Sequence, residues 1–221
     1  MLYRIVFIIG LLLASIGVSA QQMRMALLKY GGGGDWYANP TALKNLAIFC
    51  NQHLKTNFLD KEMQIEPGSP QIFNYPFIHA TGHGRLFFTP AEAANLRLYL
   101  ESGGFLHLDD NYGMDEFVRP EMKKVFPELT FTELPFTHPI FAAPFKFSNG
   151  LPKIHEHDGK PPQAFGLIWK GRLVCLYTFS ADLGDGWEDP EVHKNSPEKR
   201  QQSLQMGANI VYFIFNKNAK P

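Results

Sequence analysis

Two adjacent carboxylates, Asp109 and Asp110, close the apolar run Phe105–Leu108. Paired acids at a strand end could bind a metal ion, orient a sugar, or divide acid and base roles. Neighbouring residues on a strand point to opposite faces, so at most one of the two faces a given site unless the chain turns at once. The plainer alternative is one aspartate capping a helix and the other in solvent. His83 stands between Gly82 and Gly84, where backbone can approach a ligand closely. His79 lies four residues earlier, but on a strand, so the shared-face logic of a helical H-E-x-x-H pair fails. It reads as a core histidine, and His107 as structural.

Other polar groups are spread along the chain. Asp35 and Trp36 follow Gly31 to Gly34. That loop lacks the lysine and the spacing of the phosphate-binding motifs, so it reads as an adaptable loop at a sheet edge. His138 precedes Pro139 and could place an imidazole over a cleft. Asp182, Asp185, Trp187 and Glu188 form a cluster of acids and tryptophan suited to a sugar or to calcium, although the spacing is not that of an EF-hand. His155-Glu156-His157-Asp158 has the composition of a metal tract, yet three adjacent ligands rarely converge on one ion, and it reads as a solvated loop. There is no G-x-S-x-G elbow. Cys50 shares a helical apolar face with Leu43, Leu46 and Ala47, and Cys175 lies in an apolar run, so neither reads as an activated nucleophile. Both are expected to be unpaired.

The elements that must position these groups alternate. Met25–Tyr30 reads as a strand. Asn39 caps a helix that starts at Pro40 and runs to about Leu54. Met63–Ile65 could add a short strand. Tyr75–Ala80 is the next apolar run. Thr89, Pro90 and Glu92 spell a helix start with a capping box, and Gly103-Gly104 ends that helix. Phe105–Leu108 follows as a strand, then a helix over Met114–Val125 and a strand at Leu129–Phe131. Residues 142–163 are irregular. Ala164–Trp169 and Arg172–Thr178 flank Lys170-Gly171, a two-residue hairpin turn. Ser196-Pro197 opens a last helix that runs to about Phe215. This alternation predicts a three-layer α/β domain, and the hairpin makes its sheet mixed.

In such sheets ligands sit beyond the carboxyl ends of the strands. The junctions after Tyr30, Ala80 and Leu108 are therefore expected to share one pocket, lined by Asp35, His83, Asp109 and Asp110.

The 221 residues carry 21 Lys and Arg against 21 Asp and Glu with no basic stripe, which gives no footprint for nucleic acid. Residues 1–20 read as a signal peptide: Arg4, the apolar Ile5–Leu13, and Val18-Ser19-Ala20 as a small-residue cleavage site. The apolar run is short for a spanning helix. The expectation is one domain over 21–221, exported to the periplasm or secreted, with no stable membrane span after cleavage.

K-Y-G-G-G-G-D-W-Y (29–37), Y-P-F-I-H-A-T-G-H-G (75–84), L-R-L-Y-L-E-S-G-G-F-L-H-L-D-D (96–110), F-P-E-L (126–129), H-P-I-F (138–141) and D-L-G-D-G-W-E-D (182–189) together resemble the DUF4159 family. That family is similar to the class I glutamine amidotransferase-like superfamily, with trehalose-utilisation (ThuA-like) proteins the nearest comparison. The resemblance implies a flavodoxin-like sheet with helices on both faces. In true amidotransferases the strand after the Gly-Gly pair leads to a catalytic cysteine. Asp109-Asp110 stands there in this chain, and a carboxylate cannot perform thioester chemistry. The functional expectation is a non-amidotransferase domain that binds a polar, carbohydrate-like ligand or an envelope protein partner. The expected ligand set is Asp35, Trp36, His83, Asp109 and Asp110, joined by His138, Asp185 and Trp187. The alternative is a metal-dependent or acid-base hydrolase using His83 and Asp109 or Asp110. No cofactor is named by the sequence, and the metal content stays open.

Overall fold

The central strands are short apolar runs of the kind that a parallel sheet selects, because both of their faces are covered. In the computed structural model, which describes residues 22–216, seven strands form one mixed sheet. They are β1 (Met25–Leu28), β2 (Met63–Ile65), β3 (Phe77–Gly82), β4 (Phe105–Asp110), β5 (Thr132–Glu133), β6 (Gln163–Trp169) and β7 (Arg172–Phe179). The order is β2-β1-β3-β4-β7-β6-β5. The first five strands are mutually parallel. β7–β6 and β6–β5 are antiparallel, so the hairpin makes the sheet mixed.

Among the described residues there are six α-helices: α1 (Ala42–Leu54), α2 (Pro90–Glu101), α3 (Asp115–Val125), α4 (Leu183–Trp187), α5 (Pro190–His193) and α6 (Pro197–Phe215). Strand alternation sorts their packing. Met25, Leu27, Phe77 and Phe105 enter one buried cluster with residues of α1, α4 and α6. Ala26, Leu28, Ile78 and Leu106 enter a second cluster with residues of α2 and α3. Cys50 belongs to the first cluster and Cys175 to the second, and both thiols are free and buried. Burial pushes the Cys50 thiol up to about 12, which leaves it a packing group.

Local signals hold where they are strongest. Thr89 and Glu92 form the full capping box at α2. Lys170 and Gly171 take φ values of 49° and 77°, the left-handed pair that a type I′ turn requires. Ser196 accepts from the Lys199 N–H at the start of α6.

Several boundaries differ from expectation. α1 begins at Ala42 with Thr41 as its cap residue, because the Asn39 side chain is drawn instead into a buried polar cluster. β1 ends at Leu28. β3 and β4 run on through Gly82 and Asp110, so polar Thr81, Asp109 and Asp110 are strand residues. The strand expected at Leu129–Phe131 is displaced to Thr132–Glu133, while Leu129 and Phe131 pack against the second cluster. The signal peptide reading lies outside the described residues. Among the described residues no helix is long and apolar enough to cross a membrane.

Candidate functional site

Gly82 pairs with Asp110 across β3 and β4. His83 and Asp110 therefore leave the sheet at the same edge, the carboxyl edge of the parallel strands. Strand alternation then sends the two adjacent aspartates apart. Asp109 turns to the α4 side. One of its oxygens takes the Thr178 hydroxyl at 2.5 Å and the Leu183 N–H at 3.3 Å, and the other takes the Gly184 N–H at 2.6 Å. Asp110 turns to the α3 side, accepting from the Tyr112 and Met114 N–H groups at 2.9 and 3.0 Å and from the Tyr177 hydroxyl at 2.9 Å. Both carboxylates thus tie down backbone at a helix start, and both are buried. Burial raises Asp109 to about 7, against the pull of Thr178 and Gly184. Burial also raises Asp110.

Asp35 and His83 form a separate, half-exposed pair. One Asp35 oxygen accepts the His83 N–H, and the other lies 3.0 Å from His83 Nδ1. Beneath them the Tyr30 hydroxyl donates to the Thr81 carbonyl at 3.0 Å. Burial first, then the charges of Asp35 and Asp110, push the Tyr30 phenol up. Trp36 lies beside them in the same loop, edge-on to Tyr37 at 5.4 Å.

The other expected residues are placed elsewhere. His138 caps a 3₁₀ turn at Pro139–Phe141, where its Nδ1 accepts from the Ile140 N–H, and its ring packs on Phe213 at 5.2 Å. Trp187 is a core residue with no exposure. Its indole N–H donates to the Ser203 carbonyl at 2.9 Å, and its ring covers His79 and His107. Those two histidines share a 3.0 Å Nδ1–Nδ1 hydrogen bond, and His107 Nε2 reaches the Thr178 hydroxyl at 3.0 Å. Burial pushes His79 down to about 3 and drives His107 well below its ordinary value. Both are neutral core groups. His79 is not fully satisfied, because its Nε2 is buried with no partner.

Asp185 is the hub of a second constellation. One oxygen accepts from the Asn39 and Asn111 amides at 2.6 and 2.9 Å, and the other lies 2.9 Å from His155 Nδ1. Thr81 links Asn39 and Asn111 from β3. Burial alone would raise Asp185, but His155, Asn39 and His193 outweigh it and hold it below the ordinary carboxylate range. Asp182 sits beside it in a left-handed conformation, φ 55°. Its Oδ2 lies 2.6 Å from His157 Nε2. Burial, with Asp109 and Asp185 nearby, raises Asp182 to about 9. The tract His155–Asp158 is therefore not simply a solvated loop: His155 and His157 fold back onto the two aspartates. Sequence reasoning missed His193, Asn39 and Asn111 as partners of Asp185, and Thr81 as the link between the two asparagines. No local signal marks them, since four separate elements bring them together.

A cavity of about 290 Å³ opens beyond the ends of β4 and β7, lined by Asp110, Tyr112, Asp115, Asp158, Lys160 and Phe179 among others. Asp110 is the one member of the expected ligand set that lines it. Tyr112 is 50 % exposed, stacks on His157 at 4.7 Å, and has φ 136°.

The molecule is an α/β domain, a mixed seven-stranded sheet whose carboxyl edge carries buried polar clusters and an open cavity. The chain belongs to the DUF4159 family, described as a domain of unknown function, whose family model matches residues 24–215. No curated protein matches the chain.

Proposed function

We propose that this is an exported, non-amidotransferase member of the glutamine amidotransferase-like, flavodoxin-like architecture that binds a polar, carbohydrate-like ligand in the cavity beside Tyr112. The parallel run β2-β1-β3-β4-β7 supports the architecture, since doubly wound sheets bind ligands beyond their carboxyl ends. The observation that carries the ligand reading is Tyr112. A bulky residue at positive φ is an outlier that costs about 1–3 kcal/mol and persists where the surroundings require it. Here it holds an aromatic face half in solvent at the rim of a cavity lined by carboxylates and one lysine. Such a platform suits the apolar face of a sugar ring, with carboxylates for its hydroxyls. A hydrolase built on His83 with Asp109 or Asp110 is the weaker reading, because both buried carboxylates already accept several protein donors.

Thermal-shift screening of the purified domain against a panel of mono- and oligosaccharides is expected to find stabilising members. Tyr112→Gly, which relieves the positive φ, should keep or raise the melting temperature while weakening such a ligand about tenfold or more. A variant that binds as well as the parent would overturn the reading. Export is checked by N-terminal sequencing of protein from the native host, where a chain starting near Gln21 is expected and intact Met1 in the membrane fraction would refute it.

A further inference from the structure

We infer that His155, Asp185 and His193 form a binding site for a divalent transition metal ion of the zinc type. One ring nitrogen from each histidine and one carboxylate oxygen of Asp185 all lie within 4.8 Å of one another. His155 Nδ1 is 2.9 Å from Asp185 Oδ2, and His193 Nε2 is 3.6 Å from Asp185 Oδ1. Zinc bonds of about 2.0–2.1 Å in a tetrahedron put ligand atoms about 3.3 Å apart, so the three ligand atoms, all within 4.8 Å of one another, must draw in modestly around the ion. Asp182 Oδ2 lies 3.6 Å from His155 Nδ1 but is already held 2.6 Å from His157 Nε2, so a water molecule is the fourth ligand.

Two further observations point to a cation, and a third shows a histidine already oriented for one. His193 Nε2 is buried and has no hydrogen-bond partner, although its residue stands beside a carboxylate. Asp182 is completely buried, and its Oδ1 has no partner either. His155 is gripped between two acceptors, with Nε2 3.0 Å from Asn195 Oδ1 and Nδ1 against Asp185. With Nε2–H donated to Asn195, Nδ1 faces the carboxylate at a separation that a proton satisfies and that a metal ion would widen slightly. The outer shell has the form metal sites use, in which the far nitrogen of a ligand histidine and the carboxylate ligand are held by further hydrogen bonds. Here Asn195 holds His155, while Asn39 and Asn111 hold Asp185. His155 and His193 are each partly exposed, so an ion can reach the site from solvent.

The inference goes beyond the ligand reading and does not rest on it. The two places touch: Tyr112 of the cavity stacks on His157, which hydrogen-bonds Asp182. The test uses the untagged protein, stripped with chelator and titrated with zinc ion alone by calorimetry, without any sugar. One equivalent binding at micromolar affinity or tighter is expected, and cobalt substitution should give the visible spectrum of a low-coordinate nitrogen and oxygen site. His193→Ala and His155→Ala should each weaken zinc by about tenfold or more, whereas His53→Ala, at the exposed end of α1, should not change it. His193 contributes to no buried core cluster, so its variant remains informative if His155→Ala proves unstable. Absence of stoichiometric zinc binding, or binding indifferent to His193, would overturn the inference and leave the cavity reading untouched.

Discussion

Asp109→Ala should lower the unfolding free energy by about 3–5 kcal/mol at pH 5, and by distinctly less at pH 7. The cost arises because the Leu183 and Gly184 N–H groups and the Thr178 hydroxyl lose a buried acceptor, and each buried group left unsatisfied costs about 1–3 kcal/mol. The pH dependence follows from linkage. Burial holds Asp109 at about 7 in the folded chain, while an unfolded aspartate titrates near 3.9. Between those values the folded state binds more protons than the unfolded one. The stability that Asp109 contributes is therefore fully present below about pH 4 and is lost as the pH rises through 7. The ceiling on this slope is about 1.4 kcal/mol per pH unit. Alanine removes both the acceptor and the titration, so the difference between parent and variant reports Asp109 together with the relief it gives its neighbour Asp182. Urea unfolding at the two pH values measures it. An equal cost at both would mean that Asp109 does not titrate as a buried anchor, and a cost under about 1 kcal/mol would mean that the donors find other partners.

Gly82→Ala should be comparably damaging. Gly82 has φ 135°, and a Cβ built there would lie 2.5 Å from the Tyr30 hydroxyl and 2.9 Å from both the Asp35 carbonyl and carboxylate oxygens. The backbone strain is worth about 1–3 kcal/mol, and forcing an extra carbon into a packed site adds about 1–3 kcal/mol. For a domain of this size the sum lowers the melting temperature by roughly 10 °C. The loss should reach the Asp35–His83 pair, because Asp35 must retreat along with the Tyr30 hydroxyl. Tyr30→Phe in the Gly82→Ala background removes the nearest contact and should recover part of the loss. Strict additivity of the two substitutions would show that the tyrosine is not the obstacle.

The contrast between these two positions shows what could be read from the chain. Asp109 and Asp110 were legible as a pair at a strand end with opposite facings, because alternation is a local property of an extended backbone. Their partners were not legible: the donors to Asp109 come from β7 and α4, 69 to 75 residues further on. Gly82 announced a special backbone beside His83, but the contact that forbids a side chain there belongs to Tyr30 and Asp35.

By itself the sequence determined the elements whose signals are local. The Thr89–Glu92 capping box, the Ser196-Pro197 start and the Lys170-Gly171 turn each satisfy backbone groups within a few residues of themselves, so no distant contact is needed to place them. Apolar runs buried on both faces likewise determined a sheet with parallel strands at its centre. Tertiary structure decided the rest. It drew Asn39 away from capping α1 because Asp185 and Thr81 offered it buried partners. It made Trp187 a core residue over the His79–His107 pair, and it set His138 against Phe213. It brought His155, Asp185 and His193 together from a loop and two short helices. The physical reason is the same in each case. A buried polar group must find its complement wherever the fold brings one, and that distance is measured through space, not along the chain.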